Sequence, residues 1–547
     1  MVKASGYIGV ELITSLANQI IKDGAIPSEW QSSVIVNCFK GKGDALERGN
    51  YRGLKLVDQV MKVIERVIDK LLRERIDIDK MQFGFVPGRG TTDAIFLLRQ
   101  LQEKYLGKRK NLYFAFVDLE KAFDRVPRKV IWWAMRKLGV DEWLVTMVQS
   151  MYSNARSRVR INDSLSDEFS VNVGVHQGSV LSPLLFILVL EALSMEFRTG
   201  CPWELLYADD LVLIAESMEE LVEKFEKWKK GLEEKGLKVN TAKSKVMISS
   251  IAAKCDLVVG KWPCGVCRKG VGSNSIFCQT CKHWVHKKCS SISGRLRAGI
   301  QFVCKRCKGE IIENEVFPAL MMYNSGSLEI VKNFCYLGDM LGSEGGVGRS
   351  VTCRIGSAWK KFRELLPLLT SRVLSIEVKG KLYEACVRSV MLYGSETWAV
   401  KQEDLDRLER NDMRMVRWMC KASLRDRKSS DELRSRLSLC RIKDVIQIRR
   451  LNWLGHLERM EEDNWVRKCR DLIVPGAKPR GRPRKTWQEV IRTDLIERKL
   501  SLDLTQSRSD WKRVINIPYF GHVEKEVKIE RVAIPVDARS SCLGFTI

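Results

Sequence analysis

Two adjacent aspartates lie between apolar runs near the middle of this chain. Asp209 and Asp210 follow Leu205-Leu206 and precede the run 211–214, a pattern typical of a β-hairpin with both carboxylates at its turn. Two like charges at the edge of a buried sheet are unfavourable unless a cation binds them. Magnesium prefers carboxylate oxygens together with substrate phosphates. The pair therefore predicts a divalent-metal site.

A single turn cannot supply every ligand of such a site, so a third carboxylate must come from another element. The segment 112–117 is predicted as a strand, and it ends at Asp118 before a predicted helix. Three carboxylates placed in this way are typical of a nucleotidyl transferase that uses two metal ions. An isolated Asp-Asp pair is more often an ordinary turn, and the strand-ending Asp118 is what favours the catalytic interpretation.

Composition limits the classes of function. The chain has 547 residues, enough for more than one domain, and a net charge of +26. Such a charge favours a polyanionic partner, and nucleic acid is the first candidate. We expect no membrane partner, because the longest apolar run, 184–190, is much shorter than a span requires. The chain has 17 cysteines, and the metal-ligand spacing of several of them indicates a reducing compartment.

The motif Tyr207-Ala208-Asp209-Asp210, preceded by Asp118 and by the Gly-x-x-Gln-Gly segment 174–178, resembles the palm of reverse transcriptases of non-LTR retrotransposons of the RTE or jockey type. The resemblance covers most of the chain, about residues 8–490. It implies an α+β right-hand polymerase with helical fingers, an antiparallel palm and a helical thumb. It also implies extension of a DNA primer on an RNA template with deoxynucleoside triphosphates, with two Mg²⁺ ions on the three aspartates.

The same resemblance suggests a division of the chain into domains. We expect the chain to begin inside the fingers, and the hairpin at 334–338 resembles the one that grips the primer end. The predicted units are fingers and palm 1–250, a zinc-finger insertion 258–312, the end of the palm with the primer-grip hairpin 313–345, helical thumb and following helices 346–465, and a basic tail 466–547.

Six further residues acquire nucleotide-binding roles by this resemblance. Each has an ordinary structural alternative, such as a solvated turn, a core aromatic side chain or a surface lysine. An arginine can bind a triphosphate with two parallel hydrogen bonds, which suits the chemistry. The implied roles are triphosphate binding by Lys40 and Arg52, a sugar-facing aromatic at Phe123, nucleotide contacts at Gln177 and Gly178, and contact with the leaving pyrophosphate by Lys243.

Between Lys245 and Tyr336 lies an insertion with metal-ligand spacing. Seven cysteines and one histidine form four pairs with two-residue gaps: Cys264/Cys267, Cys278/Cys281, His286/Cys289 and Cys304/Cys307. Eight such ligands are enough for two tetrahedral Zn²⁺ sites. The order resembles a PHD finger, whose pairs interleave: the first and third would bind one zinc, the second and fourth the other. We expect both ends of the insertion to meet across neighbouring strands at the edge of the palm.

The ligand of this finger stays open at the sequence level. PHD fingers often bind histone tails, and some enclose methyl-lysine in an aromatic cage. Trp284 matches one wall of such a cage, whereas the other wall positions lack aromatic residues. A methyl-lysine ligand is therefore not favoured, and an unmodified histone tail or other chromatin contact, nucleic acid or a structural role remain as alternatives.

The basic segment 478–485 contains an AT-hook-like core. Its Arg-Gly-Arg-Pro sequence is extended and thin enough for an A·T minor groove, and a disordered basic linker is the alternative. The candidate nucleic-acid contacts are Arg480, Arg482, Arg484 and Lys485.

The resemblance predicts an RNA-directed DNA polymerase that acts in the nucleus after a cytoplasmic ribonucleoprotein stage. We find no endonuclease signature in the sequence, so nicking of a target is expected to come from elsewhere. The alternative is an idle element remnant that binds chromatin or nucleic acid through its zinc finger and basic tail. Intact aspartates and Gln177 favour the enzyme.

Overall fold

The structure is a computed structural model, and it describes residues 6–41, 43–250, 264, 266, 275–280, 283–290, 292, 302–305, 307–308, 320–477 and 483–516. The strands are β1 Ser32–Phe39, β2 Tyr51–Leu56, β3 Leu112–Val117, β4 Arg156–Ile161, β5 Ser164–Leu165, β6 Phe169–Ser170, β7 Glu204–Tyr207, β8 Asp210–Ala215, β9 Lys245–Ser249, β10 Ser275–Phe277, β11 Trp284–His286, β12 Leu320–Tyr323, β13 Gly326–Ile330, β14 Asn333–Tyr336 and β15 Asp339–Gly342. The helices are α1 Gly6–Asp23, α2 Gln59–Arg73, α3 Thr91–Gly107, α4 Ala122–Arg125, α5 Arg128–Lys137, α6 Glu142–Tyr152, α7 Ser182–Ser194, α8 Met218–Glu233, α9 Lys287–Ser290, α10 Gly348–Glu364, α11 Leu366–Leu369, α12 Ile376–Tyr383, α13 Ser389–Met391, α14 Gln402–Met419, α15 Ser430–Arg436, α16 Ile442–Glu458, α17 Trp465–Asp471, α18 Trp487–Glu497 and α19 Arg508–Ile515.

A six-stranded sheet forms the centre of the palm, in the order β12-β13-β9-β3-β8-β7. Strand β3 has the predicted bounds and pairs antiparallel with β8 and with β9. The predicted antiparallel palm is wrong at one pair, because β13 runs parallel to β9. After β9 the chain leaves the sheet through the insertion and returns as the hairpin β12–β13. This hairpin places its second strand against β9 in the parallel direction.

The fingers contain a second sheet, so the expectation of helical fingers is wrong in part. Strands β2, β1, β4 and β5 follow one another in this sheet, and β6 also pairs with β4. The β-branched run 34–36 favours extended backbone in β1, which pairs antiparallel with β2 and parallel with β4. Helix α3, buried along most of its length, lies behind the palm.

The thumb has a hydrophobic core of its own, built from residues between Val347 and Ile446. Helix α16 joins this core to the main one, because its later residues, from Leu451, belong to the palm core. The two cores meet within α16, between Ile446 and Leu451. The predicted boundary between the thumb region and the tail, at 465/466, lies after this point.

The predicted basic tail is wrong for residues 483–516, which fold against the rest of the chain. Trp487 and Trp511 are each 1% exposed. The indole nitrogen of Trp487 donates to the Glu396 carbonyl (2.9 Å), and that of Trp511 donates to the Leu451 carbonyl (2.8 Å). Apolar residues at helical spacing in α18 and α19 cause this packing, which the neighbouring basic run masks at the sequence level.

The two strands that flank the insertion are not neighbours in the sheet. The chain leaves the sheet after β9 and returns as β12, and β13 lies between them. The expectation of neighbouring strands is therefore wrong for β9 and β12, whereas residues 258 and 312 themselves lie outside the described residues. Among the described helices, none has the length and apolar character needed to cross a bilayer.

Candidate active site

Sheet pairing brings the three aspartates to one place. Asp209 lies in the turn between β7 and β8, and Asp210 begins β8. Because Val117 pairs with Leu211, the next residue of the β3 segment, Asp118, reaches the level of Asp210 across the ladder. The site is therefore built by the register of two central strands, as the sequence predicts.

The aspartate turn has a backbone conformation that needs support. Ala208 has φ of +55°, which is unfavourable for a residue with a side chain. Gln82, almost fully buried, accepts hydrogen bonds through Oε1 from the Ala208 amide (3.0 Å) and the Gly84 amide (2.8 Å). A Cβ atom on Gly84 would lie 2.3 Å from the Ala208 nitrogen, so only glycine fits there. Gln82 thus holds the aspartate turn.

Sequence reasoning missed this role of Gln82. The residues around Gln82 line the edge of β7. The Phe83 amide donates to the Leu206 carbonyl (2.7 Å), and the Leu206 amide donates to the Met81 carbonyl (2.9 Å). The glycine at position 84 was the available signal, since it marks a close backbone approach.

Electrostatics favour a cation at the aspartates. Burial and the charges of Asp209 and Asp118 raise the pKa of Asp210 to about 6. Burial and Asp118 also raise the pKa of Asp209, and the Arg52 charge opposes this shift. Asp118 Oδ2 is buried without a hydrogen-bond partner, and Lys243 Nζ lies 3.7 Å away. A divalent cation would relieve the repulsion among the three carboxylates, and carboxylate oxygens are the ligands that magnesium prefers.

The cationic candidates divide into two groups. Arg52 and Lys243 act electrostatically on the aspartates, as described above, and both side chains lie at the surface where an anion can reach them. Lys40 follows β1, and its amine donates to the Gly49 carbonyl of its own loop (2.8 Å). The structure therefore brings Arg52 and Lys243 to the aspartates and leaves Lys40 bonded within the fingers loop.

Hydrogen bonds join the segment of Phe123, just after Asp118, to the segment of Gln177. The half-buried ring of Phe123 stacks on Phe186, with centroids 4.6 Å apart. Its carbonyl accepts from the Val175 amide (2.8 Å), which joins the two segments. Gln177 Nε2 donates to Asp124 Oδ1 (2.6 Å). Both side chains are thus positioned by the segment that follows β3.

Gly178 has a structural reason for lacking a side chain. Its φ is +117°, and a Cβ atom would lie 2.4 Å from the Lys55 carbonyl of β2. The Lys55 amide also donates to the Gln177 carbonyl (2.6 Å). The glycine requirement comes from contact with the fingers, whereas the sequence interpretation attributed it to a nucleotide.

The hairpin β14–β15 borders the site on the other side of β3. The Phe334 ring stacks on Phe116 of β3, with centroids 4.0 Å apart. Tyr336 is 2% exposed, and burial, with Asp210 and Tyr207 nearby, raises its pKa well above the ordinary value. The predicted primer-grip hairpin therefore lies directly against β3, the strand that ends at Asp118.

The insertion contains two groups of candidate metal ligands. Ligand atoms lie within 4.8 Å of one another in each of the groups Cys264/His286/Cys289 and Cys278/Cys304/Cys307. Cys278 Sγ lies 3.9 Å from Cys307 Sγ, and tetrahedral zinc would place thiolate sulfurs about 3.8 Å apart. These groups fit zinc and follow the interleaved order that the PHD resemblance implies. The predicted fourth ligands, Cys267 and Cys281, lie outside the described residues.

The basic segment is described only in part. Arg480 and Arg482 lie outside the described residues. Arg484 donates to the Glu344 carbonyl in the loop after β15, and Lys485 is exposed. This contact places the end of the basic segment beside the palm.

Comparisons with known proteins agree with this geometry. Residues 40–289 match the family described as Reverse transcriptase (RNA-dependent DNA polymerase). The chain is 29% identical over 237 residues to the Retrovirus-related Pol polyprotein from type-1 retrotransposable element R2 of Nasonia vitripennis, covering 42% of this chain and 23% of that protein. It is 31% identical over 230 residues to the Putative 115 kDa protein in type-1 retrotransposable element R1DM of Drosophila melanogaster, covering 41% and 21%.

Among solved structures, the telomerase of Candida tropicalis in complex with a TWJ fragment of telomeric RNA is similar at 12% identity, with a TM-score of 0.34, covering 85% of this chain and 68% of that one. This score is too low to carry an argument. The chain spans less than a quarter of the length of the two retrotransposon relatives. Residues 40–289 thus match the reverse transcriptase domain, and the two relatives come from retrotransposable elements.

Proposed function

We propose that this chain is an RNA-directed DNA polymerase of a non-LTR retrotransposon, which extends a DNA primer on an RNA template. The observation that carries the proposal is the convergence of Asp118, Asp209 and Asp210 at the ends of β3 and β8. Burial, together with the charges of Asp209 and Asp118, raises the pKa of Asp210, and this supports a site in which a bound cation would compensate the carboxylates.

In the proposed reaction, the primer 3′-hydroxyl attacks the α-phosphate of a deoxynucleoside triphosphate, and pyrophosphate leaves. When bound by the three carboxylates, two magnesium ions would supply activation of the hydroxyl and stabilisation of the leaving group. Asp118, Asp209 and Asp210 hold the cation charge in place, and the rigid sheet beneath them fixes the geometry before substrate binds.

The surrounding side chains have distinct roles in this proposal. Arg52 and Lys243 bind the triphosphate, and Lys40, on the loop after β1, is a further candidate for this contact. Phe123 lies beneath the sugar and excludes a 2′-hydroxyl, and the segment at Gln177 and Gly178 supports the nucleotide. These roles rest on the resemblance together with the positions described above.

The insertion is proposed to be a PHD-like finger that binds two zinc ions. Small modules of this kind require metal to fold. Its partner is proposed to be a histone tail or another chromatin component, with the basic segment 480–485 adding contact to DNA. The protein would then act in the nucleus, after a ribonucleoprotein stage in the cytoplasm.

Primer extension on a defined RNA template tests the proposal. We expect the purified chain to make DNA copied from the template in the presence of Mg²⁺ and deoxynucleotides. The Asp209→Asn variant should bind the same primer–template and make no product. Nucleic-acid binding without any extension by the unaltered chain would contradict the proposal and favour the idle, chromatin-binding alternative.

A further inference from the structure

The turn of the hairpin beside the aspartates is held in an unusual conformation. Leu337 and Gly338 join β14 to β15, with φ of +45° and +82°. A residue such as Leu337 rarely adopts a positive φ, and its strain persists only when the surroundings enforce it. The question is therefore which groups enforce the turn.

Two side chains of the thumb region bind both carbonyls of this turn. The Tyr393 hydroxyl donates to the Leu337 carbonyl (2.9 Å), and the Arg354 guanidinium donates to the Gly338 carbonyl. The Arg354 guanidinium also lies over the Tyr393 ring, 4.3 Å from its centroid. The two residues form one stacked unit, which we name the turn clamp.

A third contact orients the Tyr393 hydroxyl. It lies 3.0 Å from the Thr91 hydroxyl at the start of α3. The Tyr393 hydroxyl is positioned as the donor to both the Thr91 hydroxyl and the Leu337 carbonyl, and the Leu337 contact is the shorter of the two. Thr91 and the hairpin turn therefore fix the place of the Tyr393 hydroxyl between them.

The same end of the hairpin is also held from α3. Asp339, which follows Gly338 and begins β15, is fully buried and forms an ion pair with Arg99 at 2.6 Å. Tyr336 pairs with Asp339 across the hairpin, and Asp210 lies near the Tyr336 hydroxyl. The turn is therefore held by α3 on one side and by the turn clamp on the other, next to the residue that borders the aspartates.

We propose that Tyr393 is a positioning residue, which transmits the placement of the thumb to the hairpin that borders the aspartates and so aligns the primer end. The inference rests on the proposed polymerase function. Loss of the clamp should slow nucleotide incorporation and leave primer–template binding intact, because the hairpin remains present but is no longer held in register.

The Tyr393→Phe variant tests this role, since it keeps the ring and removes only the hydrogen bonds. Tyr383→Phe is the matched control, because the buried Tyr383 hydroxyl donates to Asp412 (2.9 Å) within the thumb core, away from the hairpin. Single-turnover nucleotide incorporation, primer–template affinity, thermal unfolding and amide hydrogen exchange of residues 333–342 are measured for both variants.

We expect Tyr393→Phe to lower the incorporation rate about fivefold, as loss of one hydrogen bond implies, with affinity unchanged and faster exchange in 333–342. Tyr383→Phe should reduce thermal stability and alter neither the rate nor the exchange. Unchanged exchange in Tyr393→Phe would overturn the clamp. An incorporation rate equal to that of the control would overturn its proposed effect. Absence of product from the unaltered chain would contradict the polymerase function alone, because the exchange measurement still judges the clamp.

Discussion

The aspartates of the palm lie at the edge of a sheet whose core is made of other, apolar side chains. In the insertion, by contrast, the cysteines themselves form a large part of the described core. In the palm, Phe114, Phe116 and Val212 are nearly inaccessible beneath the site. In the insertion, the described core consists of Cys264, Cys278 and Cys304 with three other apolar side chains, Ile276, Val285 and Phe302.

The two proposed metal sites therefore depend on the surrounding core in different ways. The palm has enough apolar area to fold first and to hold charged groups in an unfavourable arrangement. The described core of the insertion is small. The residues proposed to bind metal are therefore also the residues on which its stability depends. Substitution of a ligand should therefore affect function alone in the palm and structure in the insertion.

The largest expected effect concerns an aspartate of the palm. Asp118→Asn should lower primer extension at least about a hundredfold, because the cation charge is then poorly held. Circular dichroism should show the same secondary structure as in the unaltered chain. A variant that extends primers at the normal rate, or one that unfolds, would show that the palm site is not separable from its fold.

The insertion should respond in the opposite way. Elemental analysis should find two zinc ions per chain, and a chelator should abolish exchange protection in the insertion while protection in β3 and β8 persists. Cys278→Ser should remove one zinc and unfold the module. Cys353→Ser, at an exposed position of α10, is the matched control and should change neither quantity. A metal-free insertion that keeps its protection would contradict the comparison.

A subtler effect is expected at Gln82. Gln82→Met removes the acceptor of two backbone amides and should lower the extension rate about tenfold by releasing the strained turn at Ala208. Gln100→Met is the control on α3, because Gln100 is equally buried and its Oε1 has no hydrogen-bond partner. Equal rates in the two variants would show that Gln82 does not support the turn.

The prediction of the palm from sequence succeeded where local pattern was sufficient. Apolar runs next to Asp118 and around Asp209-Asp210 predicted β3 and the hairpin with correct positions. The role of Gln82 depends on contact with Ala208, more than a hundred residues away, which no local pattern encodes. The parallel pairing of β13 with β9 likewise depends on the path of the insertion.

The C-terminal error has a different cause. The conspicuous basic run at 478–485 suggested a tail, although Trp487 and Trp511 carry the helical apolar pattern that buries them. In the insertion, ligand spacing predicted the pairs, because metal geometry imposes a fixed local pattern, and the resemblance to a PHD finger implied the interleaved grouping that the described ligands follow. Sequence reasoning was therefore strongest where chemistry restricts the spacing.

The smallest effect is expected from removal of the insertion. Replacing 258–312 with a flexible linker long enough to cross from β9 past β13 to β12 should leave extension on a naked template within a fewfold. Cys278→Ser in the full-length chain serves as the comparison, since it disrupts the module without shortening the chain. Loss of all extension in a folded deletion variant would show that the insertion is part of the active architecture.

The central claim is that the aspartates form a cation site which the fold holds against their own repulsion. Thermal unfolding of Asp210→Asn at pH 8, with EDTA and then with millimolar Mg²⁺, tests it directly. Because the pKa of Asp210 is raised in the folded state, its charge is unfavourable at this pH. The account predicts a variant at least as stable as the unaltered chain in EDTA, and a larger gain from Mg²⁺ in the unaltered chain. A less stable variant in EDTA, together with equal gains from Mg²⁺, would contradict it.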